Sequence, residues 1–239
     1  MKLKLIAFIL LAINLFALTP QEKKDLLFMY EEEKLARDVY QTLGNIYPNM
    51  RIFSNIARSE VMHNRAVAKV LQHYNIELPN RLEEIGKFKD KKLQKLYNEL
   101  VAKGKKSLKD ALEVGIMIEV IDVEDLDERL ARAKSKDVIA LFNFLKEGSY
   151  NHYNAFNRAL RWVTGGKGAC EIMDKKWCKN YPFQPGLGRF YREYYWFPIG
   201  FMDHGWRGNG YGWRDCYGYG CDYRWRGRGG YGCKGRRGY

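Results

Sequence analysis

Glu60 and His63 stand three residues apart in the stretch Ser59-Glu60-Val61-Met62-His63. On a helix that spacing sets a carboxylate and an imidazole one turn apart on a single face. The same face carries Phe53, Ile56, Ala57, Val67, Val70 or Leu71, and Tyr74 at the helical period, so it is an apolar face. Two ionisable groups therefore point at a core, where a charge without a partner is costly. Metal coordination is the chemistry that relieves the cost. Glu-x-x-His pairs projecting inward are a unit with which helix bundles hold paired metal ions. A single pair is common by chance, so the reading turns on whether other helices supply more ligands.

They do. The periodicity predicts a first helix over 21–43, with Leu26, Tyr30, Glu33, Ala36 or Arg37, and Tyr40 on one stripe. Glu31 and Glu32 fall off that stripe and are expected to be solvated. Gly44, Asn45 and Pro48 end the helix, and a second over 52–74 carries Glu60 and His63. The connection 75–106 contains Pro79, a basic patch and a short helix over 90–103; such a length crosses the full height of a bundle. Ser107 with Asp110 resembles a capping box and opens a third helix, running to 132. Its stripe is Leu108, Leu112, Gly115, Glu119, Asp122, Leu126 and Leu130. A fourth helix over 136–162 aligns Val138, Leu141, Leu145, Ser149, His152, Phe156 and Ala159. Glu33, Glu60, His63, Glu119, Asp122 and His152 thus interrupt the inner stripes of four helices. Two di- or trivalent cations would turn that burial cost into coordination energy; a hydrogen-bonded polar core is the other solution.

Beyond the helices, Lys2 and Lys4 precede an apolar run to Leu18, which reads as a signal peptide cleaved near Ala17. The run is short of the roughly 20 residues that a spanning helix needs, which disfavours an uncleaved anchor. Export to the periplasm, cell surface or exterior is expected. The domain is expected over 21–164, followed by an irregular basic extension over 165–239. The net charge of +13 is uneven, and much of the excess lies in the last third among Gly, Tyr, Trp and Arg. An anionic envelope polymer suits such a tail; export argues against nucleic acid. Cys170, Cys178, Cys216, Cys221 and Cys233 also lie there, enough for two disulfides and one free thiol. Their spacing fits no zinc ribbon. His73 and His204 are off the inner stripes and are expected at the surface.

The helical part resembles the ferritin-like superfamily, in its rubrerythrin-like branch. Glu33-Lys-Leu-Ala36-Arg37-Asp-Val-Tyr40 is similar to the first-helix signature Glu-x-x-Ala-Arg-x-x-Tyr, and Phe53-x-x-Ile56-Ala57-x-x-Glu60-x-x-His63 to the second. The stretches from Glu31 to Tyr40 and from Gly148 to Phe156 are similar to an uncharacterised bacterial and archaeal family of ferritin-like domains. The resemblance covers roughly 22–162. It implies an all-α, up-down-down-up four-helix bundle around two iron ions, with manganese as the alternative metal. Glu33 and His63 would be terminal ligands and Glu60 a bridge, with Glu119 and His152 supplied by the third and fourth helices. Ser149 departs from the pattern, because rubrerythrins carry Glu there. Asp122, one turn from Glu119, is the expected replacement. No cysteine-pair module supplies electrons. The implied activity is iron oxidation, or oxygen or peroxide chemistry, possible in a homo-oligomer; the competing reading is a non-enzymatic envelope protein acting through its tail.

Overall fold

Thr19 fixes where the first helix begins. Its Oγ1 accepts from Glu22 N at 3.1 Å, while the Glu22 carboxylate accepts from Thr19 N at 2.9 Å, and Pro20 takes the first helical position. The computed structural model describes residues 18–184, and the described residues are helical with no strand. The elements are α1 (Pro20–Ile46), α2 (Arg51–His73), α3 (Lys91–Gly104), α4 (Leu108–Leu130), α5 (Lys136–Val163) and the short α6 (Ala169–Ile172), followed by a 3-10 turn at Lys175–Trp177. Ser107 caps α4 through Asp110 N at 3.0 Å, as its sequence position predicts. Among the described residues, no helix is long and apolar enough to cross a membrane.

Contacts at the helix ends fix the directions. Short links make α1 and α2 antiparallel neighbours, and likewise α4 and α5. The start of α1 meets the end of α4: Arg132 donates to both Asp25 oxygens at 2.9 and 2.8 Å, and Lys134 N and Ser135 N donate to Glu22 Oε1 at 2.9 and 2.6 Å. The end of α2 meets the start of α5 through Tyr74 OH on Asp137, at 3.0 Å. It follows that α2 and α4 run the same way. The chain between them must travel the length of the helices, which the segment 74–107 with α3 accomplishes.

One end of the interior is aromatic. Tyr40 and Phe156 rings lie 5.0 Å apart and Phe53 and Phe156 rings 5.8 Å apart. Phe156 packs so closely on α4 that a Cβ on Gly115 would stand 2.5 Å from its ring. Only a glycine admits that approach.

The expectation that Glu31 and Glu32 are solvated is corrected here. Both are only 4% exposed. The returning connection lies across the face of α1 that a simple amphipathic reading assigns to water. Glu31 accepts from Lys89 N at 2.6 Å, from Asp90 N at 3.0 Å and from Asn80 Nδ2. Lys34, fully buried, donates to Asp38 at 2.7 Å, to Glu84 O at 2.7 Å and to Lys87 O at 3.2 Å, with its ammonium over Phe88. Arg37 bridges Asp38 and Leu82 O, and Gly86 N donates to Asp38 at 2.8 Å. Glu32 turns instead toward α4. Periodicity marks which face meets another long helix; it does not show that a loop will cover the other face.

After α5 the chain folds back on it. Tyr153 OH donates to Trp177 O at 2.9 Å and accepts from Lys179 N at 2.8 Å; Asn154 and Asn151 hold Tyr181 and Gln184. Cys170 and Cys178 form a disulfide within this strap. The first part of the expected irregular extension is therefore a packed segment. His73 is exposed, as expected. Most of the expected signal peptide, residues 1–17, and the rest of the tail with His204, Cys216, Cys221 and Cys233 lie outside the described residues.

Asp38 is the common acceptor for Lys34, Arg37 and Gly86, and it is fully buried. Asp38→Ala strands two cations and is expected to lower stability by about 3–5 kcal/mol. Denaturant unfolding, read beside limited proteolysis of 80–90, checks this; a variant as stable and protected as the parent contradicts it.

Candidate metal centre

At mid-height, side chains from all four long helices converge. Glu33 comes from α1, Glu60 and His63 from α2, Glu119 and Asp122 from α4, and His152 from α5. None is more than 7% exposed. His63 Nδ1 lies 3.0 Å from Glu33 Oε2 and 2.8 Å from Glu60 Oε2. His152 Nδ1 lies 2.8 Å from Glu60 Oε1 and 3.5 Å from Glu119 Oε2. Glu60 therefore turns one carboxylate oxygen to each imidazole, and the two rings stack at 5.4 Å. Glu60, His63 and His152 each offer a ligand atom within 4.8 Å of the others, close enough to hold one ion.

Around this core stand residues that orient it. Ser59 Oγ lies 3.0 Å from His152 Nε2, which keeps Nδ1 directed inward. Tyr40 OH donates to Glu119 Oε1. Ser149 Oγ lies against both Asp122 Oδ2 and Leu145 O. A hydroxyl has one proton, so it serves both acceptors fully only when Asp122 carries a proton of its own. Gly148 is a steric requirement: a Cβ there would stand 2.5 Å from His63 Cε1 and Nε2.

The polar atoms are incompletely paired. Glu33 Oε1, Glu60 Oε1, Asp122 Oδ1 and His152 Nδ1 are buried without a hydrogen-bond partner. Glu60 Oε1 and His152 Nδ1 are near neighbours, yet they lack the alignment a hydrogen bond requires. Buried polar groups are nearly always paired, so a cluster of such orphans marks a place for a further species. Carboxylate oxygens with two imidazole nitrogens suit a hard or borderline divalent ion.

Without metal, protons carry the compensation. Burial pushes the Glu33 carboxyl well above its ordinary range; the Asp122 and Glu60 charges add to this, while His63 opposes it. Burial also raises Glu119, with Glu60 adding and His152 opposing. Asp122 is pushed up to about 7 by burial and by the Glu119 and Glu60 charges, against the Ser149 hydrogen bond. For Glu60 burial acts upward but loses to His152 and His63, which hold the carboxylate low. Burial opposes charge on the imidazoles too, yet Glu33 and Glu60 raise His63, and Glu60 and Glu119 raise His152 to about 10.

The six residues expected from the inner stripes are thus neighbours, with Glu60, His63 and His152 closest. Tyr40, Ser59 and Glu32 were not expected at the site. Tyr40 lies on the inner stripe of α1, but there a tyrosine reads as ordinary core. Ser59 gives no periodic signal at all.

Residues 22–173 match the family described as an uncharacterized protein domain (DUF2202), and the chain belongs to that family. It is similar to the uncharacterized protein MJ0754 of Methanocaldococcus jannaschii, at 45% identity over 143 residues, spanning 60% of this chain and 77% of the relative. The fold is similar to the crystal structure of hypothetical protein MJ0754 from Methanococcus jannaschii DSM 2661, with a TM-score of 0.61 at 41% identity; the match covers 66% of this chain and 90% of that one.

The raised groups predict how metal-free stability follows pH. Asp122 rises from 3.8 to about 7 and His152 from 6.5 to about 10 on folding, so the folded state holds the extra protons in those windows. Stability therefore falls as pH rises from 5 to 9, while the depressed Glu60 acts only below its ordinary value. Thermal melts of chelator-treated protein should show this decline, with Asp122→Asn flattening the part below pH 7; a melting temperature that rises over the range contradicts it. Gly148→Ala tests the packing of His63. It removes no ligand, yet it should weaken metal affinity about tenfold or more, in the range seen when the support of a ligand is lost. Unchanged affinity by metal titration would show that the ring can move aside freely.

Proposed function

We propose that this is an exported ferritin-like protein whose up-down-down-up four-helix bundle holds a dinuclear iron centre, with manganese as the alternative metal, and that it oxidises iron or reacts with oxygen or peroxide there. The observation that carries the reading is the cluster of buried ionisable residues with unpaired oxygens and an unaligned Glu60–His152 contact. The opposed directions of α1 and α2, and of α4 and α5, with α2 and α4 alike, support the bundle type. Glu33, Glu60 and His63 would hold one ion, and Glu119, His152 and Asp122 the other, with Glu60 shared. When bound, an oxidisable metal pair supplies the electrons that reduce oxygen or peroxide.

The chain's own residues do the rest. His63 and His152 must give up their extra protons before they can ligate, so binding releases protons and weakens at low pH. Tyr40 holds Glu119 by its hydroxyl, and Ser59 holds the His152 ring, so neither ligand swings free. Phe144, edge-on to His63, and Phe156 beside Tyr40 help exclude water from the interior. With serine at 149, Glu60 is the one carboxylate placed between the two imidazoles, and Asp122 leans into the space that serine leaves. Export is supported by the Lys2 and Lys4 leader pattern and by the Cys170–Cys178 disulfide, a bond typical of oxidising compartments.

Metal analysis after anaerobic loading tests the reading. About two irons per chain are expected, with both lost in Glu60→Ala. Asp122→Asn should keep the first step of a ferrous titration and weaken the second. A parent protein that takes up neither iron nor manganese overturns the proposal.

A further inference from the structure

Outside the centre, the seam between α1 and α4 carries acids that the centre does not use. Antiparallel packing sets Asp25 beside Arg129 and Arg132, then Glu32 beside Asp125 and Asp122, then Tyr40 on Glu119. The seam thus forms a polar ladder leading from one end of the helices to the centre. Its middle rung is the unusual one. Glu32 is 4% exposed, and among the described residues no donor reaches either of its carboxylate oxygens; the side chain it meets is another acid, Asp125. Asp122 Oδ1 beside it has none either. Arg129 lies near enough to offset part of the charge, but it donates to Asp125 at 2.7 Å and stacks over Phe28, leaving Glu32 without a donor. Asp125 is the rung that opens outward, with its side chain 29% exposed.

We propose that Glu32, with Asp122 and Asp125, forms an outer divalent-cation station through which metal enters the inner centre. The donors are carboxylate oxygens alone, which suits hard ions such as ferrous iron and manganese(II) and gives weaker binding than a set containing imidazoles. Among the described residues, the donor atoms that close to within 4.8 Å are those of Glu60, His63 and His152. The outer station is correspondingly wide, and water completes the ion's shell. Asp122 belongs to both places, so an ion held by Glu32 is already one ligand into the centre. A buried glutamate set against two other acids is costly in a protein that only needs a helix contact, since Gln or Leu would fill the seam without that opposition.

This inference rests on the metal-centre reading, and the experiment separates the two. Manganese(II) is titrated into the metal-free full chain and followed by electron paramagnetic resonance, with stopped-flow mixing for the loading rate. The parent, Glu32→Gln, Asp125→Asn and Glu60→Ala are compared. Glu32→Gln should lose one weak equivalent, keep the tight ones and load them at least fivefold more slowly. Glu60→Ala should lose the tight equivalents and keep the weak one. Asp125→Asn, at a partly exposed position, should show the Glu32→Gln pattern in milder form, and it decides the matter if Glu32→Gln does not fold. Parent-like stoichiometry and rate in both outer variants overturn the station and leave the centre standing. A weak, Glu32-dependent equivalent in a protein with no tight binding would support the station while removing the centre.

Discussion

The structure depends on the burial of opposite charges at mid-height between four helices. Glu60 between two imidazoles is the centre of that arrangement, and the remaining acids are packed around it with oxygens left unpaired. In a dry interior each such group costs far more than an ordinary core residue contributes. The cost is bearable only if every helix delivers its group to the same place. That requirement explains the glycine at 148, where any side chain would strike His63, and the hydroxyls of Ser59 and Tyr40 that hold His152 and Glu119 from behind.

The same constraint reaches the chain's path. For α2 and α4 to present their groups at one height while running the same way, the connection between them has to span the helices. The protein uses this connection structurally. Segment 80–90 lies across α1 and is gripped by Glu31, Lys34, Arg37 and Asp38, so α1 is buried on nearly every side. On α5 the strap closed by Cys170–Cys178 is anchored on Tyr153, the residue after His152. Both coverings stiffen the helices that carry the site.

Much of this was legible in the sequence, for identifiable reasons. Helix extents follow from apolar period and from caps: 21–43 is close to Pro20–Ile46, 52–74 to Arg51–His73, and 136–162 to Lys136–Val163. The inward acids and histidines stood out because each broke an apolar stripe. Glu31 and Glu32 were misjudged because a helical wheel shows only faces, and what covers a face is a tertiary fact. Tyr40, Ser59 and Gly148 escaped notice as site residues because their roles lie in distance and orientation, which residue type alone does not encode. The Cys170–Cys178 pairing depended on a turn that no periodicity announces.

Crystals of the metal-free protein soaked anaerobically with ferrous iron, measured at the iron absorption edge, test directly whether Glu60 bridges two metal ions. Two anomalous peaks are expected at the Glu60 carboxylate, one on the side of Glu33 and His63 and one on the side of His152 and Glu119. No iron peak at that carboxylate, with Glu60 still held between protonated His63 and His152, would contradict it.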